Sequence, residues 1–361
     1  MNADAKQVQN RGMLHGEALP GIEPAPQARR LADAFAALDL GTNNCRLLVG
    51  VPTGGGFRVL DSFSRIVRLG EGLHRTGELS EAAMARALAA LHTCAERLQH
   101  RNLRGLRAIA TEACRQAANG AEFLCRVRAE TGLRIEVISA REEAELALES
   151  CAQLLIGDAR RALLFDIGGG STELAWVRLD AARPPALIGY ASLPLGVVTL
   201  AEHCAGQAFS PAGFDALVED IADRFAPFEA VHCIGREIRQ GGVLLLGTSG
   251  TVTTLAGIAL NLIRYSRSLV DGTVLTREEA RAALERLCAM GRAGLEQSPC
   301  VGPERVEFVL PGCAIFAAIV RLWPAPKLVV ADRGLREGML LRMIRGGARA
   351  MRGNGCWPRR P

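Results

Sequence analysis

The chain has 361 residues, 49% of them hydrophobic and 22% charged, which is the composition of a globular protein rather than of a disordered or fibrous one. At roughly 150 residues per domain, about two domains are expected. No apolar run approaches the roughly 20 residues needed to span a bilayer, and the N-terminus shows no apolar signal segment, so a cytoplasmic protein is expected.

The distribution of charge limits the expected binding partners, and the spacing of the cysteines limits the expected metal and disulfide sites. The net charge is +5, but the segment 341–361 contains six arginines and no acidic residue, so the rest of the chain is near neutral. This argues against a broad nucleic-acid-binding face, and neither a nucleic acid nor a membrane is expected as a partner. The 11 cysteines include no C-x-x-C pair, which disfavours a zinc site and a disulfide framework.

The first hundred residues open with a polar segment and continue with strand and helix patterns. Residues 1–34 contain several prolines and glycines, which predicts a mobile leader. Two apolar stretches within 35–51 flank a Gly-Thr-Asn-Asn turn, a pattern that predicts a β-hairpin. A helix is expected to begin at Ser80, and its apolar face would carry Met84, Leu88, Leu91, Ala95 and Leu98.

Predicted strands and helices continue to alternate through the next sixty residues. Short buried strands are predicted at 106–111 and 134–139. Asn119-x-x-Glu122 and Ser139-x-x-Glu142 match the capping-box pattern, in which two residues of a helix start bond each other's backbone amides. The second of these predicts a helix that runs to about Leu155.

The strand pattern restarts at 162. There an apolar stretch ends in Asp166 and is followed by three glycines, Ser171, Thr172 and a second apolar stretch. Further strand–turn–helix patterns lie at 243–258 and 327–344. Because strands and helices alternate throughout, the fold class is expected to be α/β.

The segments around Asp39 and Asp166 share one plan: an apolar strand, an aspartate, a glycine-containing turn and a second apolar strand. This repetition predicts a duplicated domain whose two hairpin turns face a common cleft. The expected units are an N-terminal domain at 35–158, a C-terminal domain at 159–332, a helix at 333–345 and a basic tail at 346–361.

Three turns rich in glycine, serine and threonine follow apolar strands. Their backbone amides can point into one concavity and bind an anion, and the third turn also leads into a predicted helix N-terminus. A plain turn is the alternative for any one of them, but three in one chain indicate a phosphate-bearing ligand. None matches a P-loop or a dinucleotide-binding motif. The candidate residues are Gly41, Thr42 and Asn43; Gly168, Gly169, Gly170 and Ser171; and Gly247, Thr248, Ser249, Gly250 and Thr251.

Acidic residues stand next to these turns. Asp39 and Asp166 end their strands, and Glu173 follows the second turn. Carboxylates beside bound phosphate oxygens are the ligands that Mg²⁺ needs, so these three residues are candidate metal ligands. The alternative is that Asp39 caps its own turn and that Glu173 faces solvent.

One glutamate and two arginines complete the candidate set. Glu142 is explained by its capping box, whereas Glu143 lies about 100° further round the helix and is free to face the cleft. There it could orient and deprotonate water. Arg46 and Arg115 each lie near a candidate turn and could bind phosphate oxygens through their guanidinium groups.

Several blocks resemble one known family. DLGTNNCRLLV (39–49), EVISAREEAELAL (136–148), FDIGGGSTEL (165–174), LLLGTSGTVTTLAG (244–257) and ADRGLREGML (331–340) are similar to motifs of the exopolyphosphatase/guanosine pentaphosphate phosphatase (Ppx/GppA) family, in the same order. The similarity extends over about 36–342. It implies two RNase-H-like domains of the actin-like, sugar-kinase and heat-shock-chaperone ATPase type around a central cleft, with the helix after Asp332 packing back on the first domain.

The resemblance also implies an activity and a set of roles. Members remove the terminal phosphoryl group of polyphosphate, or the 5′-γ-phosphate of pppGpp, with Mg²⁺; another divalent cation and K⁺ are further candidate ions. Glu143 matches the catalytic glutamate, Asp166 and Glu173 match metal-associated acids, and Arg46 and Arg115 match phosphate contacts. A homodimer is expected from the family alone, and the C-terminal helical domains of longer members have no counterpart in this sequence.

Two other functions remain open at this stage. A small-metabolite kinase of the same superfamily could use 247–257 as an adenosine loop. A nucleotide- or alarmone-binding regulator without turnover could keep the same cleft. The presence of Glu143, Asp166 and Glu173 favours an enzyme over such a regulator.

Overall fold

The computed structural model describes residues 34–155, 157–204 and 206–346. The leader predicted at 1–34 and the tail predicted at 346–361 therefore lie outside the described residues, apart from their inner ends. No helix in the described ranges is long and apolar enough to cross a membrane.

The first domain contains one five-stranded sheet in the order β3-β2-β1-β4-β5. Strands β1, β2 and β3 are antiparallel neighbours, whereas β4 runs parallel to β1 and β5 parallel to β4. Its elements are β1 (Ala34–Leu40), β2 (Asn44–Thr53), β3 (Gly56–Ile66), α1 (Leu73–Thr76), α2 (Glu81–Gln99), β4 (Leu103–Ala110), α3 (Glu112–Gln116), α4 (Gly120–Thr131), β5 (Glu136–Val137) and α5 (Ala140–Cys151).

The second domain repeats this plan with one extra edge strand, in the order β10-β11-β9-β6-β7-β8. Strands β6, β7 and β8 are antiparallel, and β9 and β11 extend the sheet in parallel. The elements are β6 (Arg161–Ile167), β7 (Thr172–Asp180), β8 (Arg183–Leu193), α6 (Val197–Cys204), α7 (Pro211–His232), α8 (Ile234–Gln240), β9 (Val243–Thr248), α9 (Gly250–Ala259), α10 (Arg267–Val270), β10 (Val274–Thr276), α11 (Arg277–Gln297), α12 (Val306–Leu322), β11 (Lys327–Ala331) and α13 (Leu335–Gly346). The predicted α/β class with two domains around a cleft is confirmed.

The alternating side chains of β1 explain how the sheets pack. Every residue of this strand is buried, because one face lies on the first domain's core with α2 and the other on a second apolar layer. That second layer holds residues of both sheets together with α5 and α13. Helix α13 packs on α5, β1 and β2. The domains are therefore joined by a shared core with α5 at its centre.

A local sequence pattern explains the start of α2, whereas the two predicted capping boxes do not form. Helix α2 begins as predicted: the Ser80 side chain accepts from the Ala83 amide, and the predicted apolar face is buried. Asn119 does not cap its helix, because its side chain bonds the backbone of Leu79 instead. Ser139 caps α5, but the Glu142 carboxylate binds Arg107 and Arg342 rather than closing a capping box.

Candidate active site

A cavity of about 770 Å³ lies between the domains, where strands β1, β6 and β9 end. Its lining includes the candidate turn residues Gly41–Asn43, Gly168–Ser171 and Thr248–Thr251, and the candidate side chains Asp39, Arg46, Glu143, Asp166 and Glu173. Two candidates are not part of the lining. Gly247 lies within β9, where a Cβ would stand 2.5 Å from the Phe165 ring, so its lack of a side chain serves packing. Arg115 lies behind Glu143.

The turn between β6 and β7 has its amides directed into the cavity. The Gly168 and Gly169 carbonyls accept bonds of 3.0 and 2.8 Å from the Val197 and Val198 amides at the start of α6. A trans peptide is planar, so the N–H that follows each carbonyl points the opposite way. The Gly169 and Gly170 amides therefore face away from α6, and they donate to no acceptor among the described residues. Backbone amides arranged in this way can bind an anion.

The turn between β1 and β2 is held in the same way. Its Asn43 carbonyl accepts from the Val67 and Arg68 amides at 2.8 and 3.1 Å, and its Thr42 carbonyl accepts from Gly70 at 3.0 Å. The two turns touch: a Cβ on Gly169 would lie 2.9 Å from the Cβ of Asn43. Two equivalent hairpin turns, one from each domain, thus meet in the cavity.

The third turn joins β9 to α9 through a strained residue. Ser249 has φ of 112°, a region that non-glycine residues rarely adopt, and it occupies the N-cap position. The first amides of α9 have no partner within the helix and carry the positive end of its dipole. This helix start therefore adds a second group of donors for an anion.

Four of the acidic residues that line the cavity are the candidates Asp39, Glu143, Asp166 and Glu173. Asp166 and Glu173 are cross-strand partners in the β6–β7 ladder, and Asp39 is paired with Arg46 at the equivalent position of β1 and β2. Glu173 is only 3% exposed and Asp39 forms no turn-capping bond, so the alternatives of a solvent-facing glutamate and a capping aspartate are wrong. The Glu173 carboxylate accepts from Ser171 and Ser192 at 2.6 and 3.0 Å.

Burial dominates the electrostatics of these acids. Desolvation raises the pKa of Asp166 to about 6, although Arg46 opposes the shift. Desolvation and the nearby charge of Asp166 raise the pKa of Glu173 to about 8. Burial also raises the pKa of Asp39. At neutral pH, Glu173 therefore holds a proton unless a bound cation replaces it.

Glu143 faces the cavity from the first turn of α5 and is 8% exposed. Burial and the neighbouring Glu173 charge raise its pKa well above the usual value, while Arg115 opposes them. The Arg115 guanidinium binds the Ile138 carbonyl at 2.8 Å, Glu143 at 3.3 Å and Glu112. Arg115 thus fixes the glutamate from behind.

Sequence reasoning missed Arg336 at the start of α13, which is one of five arginines that line the cavity. Burial lowers its pKa, and the neighbouring Arg46 acts in the same direction. The Arg46 side chain forms no hydrogen bond within the described residues, whereas the Arg336 guanidinium lies beside Glu337 and the Leu47 carbonyl. Two cations placed in this way suit a multiply charged anion. The sequence signal that could have identified it is the apolar strand β11, which is followed by Asp332 and then by a helix.

Three buried polar atoms of the cavity have no hydrogen-bond partner among the described residues. These atoms are Asp39 Oδ1, Asn43 Oδ1 and Ser249 Oγ. Buried polar atoms are normally bonded, so these three indicate a ligand. Among the residues that the structure describes, no group of three His, Cys, Asp or Glu side chains is arranged to hold a metal ion by itself. Oxygen donors from two or three acids suit Mg²⁺, which keeps waters and substrate oxygens in its shell.

The fold and the cavity define a class of two-domain α/β proteins in which paired hairpin turns meet across a central cleft. The model of the Ppx/GppA phosphatase family matches residues 49–346, and the chain belongs to this family. The resemblance noted from the sequence is thereby confirmed. The match begins within β2, so the Gly41–Asn43 turn precedes it.

Solved structures support the same conclusion. The Ppx/GppA family member of Aquifex aeolicus is 26% identical, with a TM-score of 0.71, over 87% of this chain and 98% of that one. A protein described as exopolyphosphatase-like is 27% identical, with a TM-score of 0.76, over 85% of this chain and 96% of that one. An exopolyphosphatase from Cytophaga hutchinsonii, 22% identical over 87% of this chain and 98% of its own, shares the fold with a TM-score of 0.75.

Proposed function

We propose that the protein is a cytoplasmic phosphohydrolase that removes the terminal phosphoryl group of inorganic polyphosphate, with the 5′-γ-phosphate of pppGpp as the alternative substrate. The observation that carries the proposal is that the two hairpin turns meet in one cavity together with Asp39, Glu143, Asp166 and Glu173 and with several arginines, among them Arg46 and Arg336. Donors for a polyanion and acceptors for a cation thus share one cavity. Family membership and the exopolyphosphatase-like neighbour support the same chemistry.

The turns and the arginines bind and orient the phosphate chain. Amides of Gly169 and Gly170 and the N-terminus of α9 donate to non-bridging oxygens, while Arg46 and Arg336 supply positive charge. These donors are held in place before the ligand arrives, so little reorganisation accompanies the reaction. Because phosphoryl transfer needs little covalent work from the protein, positioning and charge neutralisation provide most of the rate.

Glu143 is the general base of the proposal. It accepts a proton from the attacking water as the water's oxygen approaches the terminal phosphorus in line with the leaving oxygen. Burial makes its carboxylate a stronger base than an exposed glutamate. Arg115 is a positioning residue, because its bonds to Ile138 and Glu143 direct the carboxylate into the cavity.

The donor set fits a divalent cation. Asp166 and Glu173 would hold Mg²⁺, with the unpaired Asp39 oxygen facing the same space. Bound there, the ion would offset the charge of the phosphate oxygens. The four acids otherwise repel a polyanion, which explains why the cavity needs a cation as well as arginines.

Phosphate release from polyphosphate and from pppGpp, measured side by side with Mg²⁺, tests the proposal. Glu143→Gln keeps the shape of the side chain but removes the base, so kcat should fall by about 10²–10⁴ while KM changes little. The matched control is Glu145→Gln, two residues further along α5, where the side chain is half-buried and pairs with Arg141 and Arg342 rather than facing the cavity.

Each result assigns a function. Release from polyphosphate that Glu143→Gln abolishes supports an exopolyphosphatase, and release from pppGpp alone moves the function to alarmone turnover. Near wild-type activity in Glu143→Gln would remove this residue from the role of base. Tight pppGpp binding without release would favour a regulator, and ATP-dependent phosphorylation of a small metabolite would favour a kinase.

A further inference from the structure

Each phosphate-binding turn is supported from behind by one segment of chain. Residues 67–70 bind the carbonyls of Thr42 and Asn43, and the start of α6 binds those of Gly168 and Gly169. Because these bonds fix which way the turn amides point, the two supporting segments determine the geometry of the two turns. The relative position of the segments therefore sets the relative position of the two turns.

The supporting segments are joined directly across the cleft by Glu202, near the end of α6. Its carboxylate accepts from the Gly72 amide at 3.0 Å and lies 2.7 Å from His74 Nδ1. The His74 ring also stacks on His203, with ring centroids 4.3 Å apart. The carboxylate and the His74 side chain are only 24% and 20% exposed, which limits screening by water.

A second contact lies on the same side of the cavity. The Arg68 guanidinium stands over the Phe308 ring of α12, 5.5 Å from its centroid, and the Arg68 amide is one of those that bind Asn43. Both contacts involve a charged side chain, and the two turns also touch each other on this side. On the opposite side of the cleft, the domains share the apolar layer around α5 and α13.

We propose that Glu202 is a positioning residue that locks the two phosphate-binding turns into the arrangement that receives the terminal phosphate. This inference rests on the proposed function, because it assigns both turns to the substrate. Without the Glu202 contacts, the domains would spend part of the time with the turns separated. Substrate would then have to bring the turns together, and its apparent affinity would fall by the fraction of protein in the competent state.

The test compares Glu202→Ala, Glu202→Gln and the exposed control Glu219→Ala on α7. For Glu202→Ala we expect KM for polyphosphate to rise about three- to tenfold with kcat nearly unchanged, since substrate-bound enzyme is already closed. Glu202→Gln still accepts from the Gly72 amide, so its KM should lie between those of Glu202→Ala and the wild type. Simple destabilisation would instead lower the active fraction without moving KM.

Hydrogen–deuterium exchange on the same substrate-free proteins gives a readout that does not depend on activity. Peptides covering 67–76 and 196–204 should exchange faster in Glu202→Ala than in the wild type and in Glu219→Ala. Equal exchange in these peptides would overturn the proposed lock whether or not the enzyme releases phosphate. An unchanged KM would overturn its role in substrate binding. Absence of phosphate release from the wild type would contradict the proposed function separately.

Discussion

Glu173 and Asp166 are paired on adjacent strands, and the buried Glu173 and half-buried Asp166 line a cavity that also holds Asp39 and Glu143. Burying acids together is unfavourable for the folded chain when they are ionised. Their grouping is therefore hard to explain by stability and is readily explained by a cation. Sites that bind charged ligands commonly retain such unfavourable groups.

This arrangement predicts a pH dependence of stability. The pKa of Glu173 is raised from 4.5 to about 8 in the folded protein. Between these two pH values, the folded state holds a proton that the unfolded state has released. Stability therefore falls as pH rises through this window and levels off above it. Glu173→Gln resembles the protonated form and keeps the oxygen that accepts from Ser171 and Ser192.

We accordingly expect the Tm of metal-free Glu173→Gln to exceed that of the wild type at pH 8–9 and to match it near pH 4. Thermal unfolding in the presence of a chelator, followed by circular dichroism, measures the difference across this range. Glu219→Gln on exposed α7 is the control and should follow the wild type. Parallel curves for Glu173→Gln and the wild type at every pH would contradict the predicted shift.

Helix α13 connects the cavity to the helix that carries Glu143. It begins next to cavity residues Arg333 and Arg336 and then crosses α5, where a Cβ on Gly338 would lie 2.1 Å from the Leu146 carbonyl oxygen. One turn further on, Arg342 binds Glu142 and Glu149 of α5 at 3.3 and 2.7 Å. The position of α5 is thus determined by packing as well as by ion pairs.

Gly338→Ala should push α5 away from α13 and move Glu143, which lies three residues before Leu146. We expect kcat to fall with a loss of stability of about 1–3 kcal/mol, typical of an overpacked contact. The matched substitution is Gly55→Ala, where a Cβ meets nothing within 4 Å. Measurements of phosphate release and of Tm for both variants test this prediction. A Gly338→Ala enzyme with wild-type kcat would show that the contact between α13 and α5 does not position Glu143.

The sequence predicted local elements better than distant partners. The hairpin at 35–51 and the buried face of α2 follow from patterns within a few residues, and both are confirmed. Asn119 and Glu142 matched a local capping rule, yet their side chains bond residues distant in the chain. Arg336 reaches the cavity only through strand pairing and helix packing, which periodicity does not encode. Segments such as 183–240 carried no pattern that indicated their place.

At the scale of the whole molecule, the duplication places unlike residues at equivalent positions. Asp39 pairs with Arg46 in the first sheet, whereas Asp166 pairs with Glu173 in the second. The first hairpin therefore brings a positive group into the cleft and the second brings an additional carboxylate. The cavity can then bind a cation through the second domain's carboxylates and a polyanion through groups of both domains.

This division predicts that cation and anion bind cooperatively and stabilise the closed molecule. In a Glu143→Gln background, which prevents turnover, Mg²⁺ and tripolyphosphate together should raise the Tm more than the sum of their separate effects. A ligand at 100 times its Kd stabilises by about 2.7 kcal/mol, or roughly 3–4 °C for a protein of this size. Adding Asp166→Asn should remove the Mg²⁺-dependent part and leave a smaller shift with tripolyphosphate, because Arg46, Arg336 and the turn amides remain. Differential scanning fluorimetry at pH 8 measures both, and equal shifts with and without Asp166→Asn would exclude this carboxylate as the cation ligand.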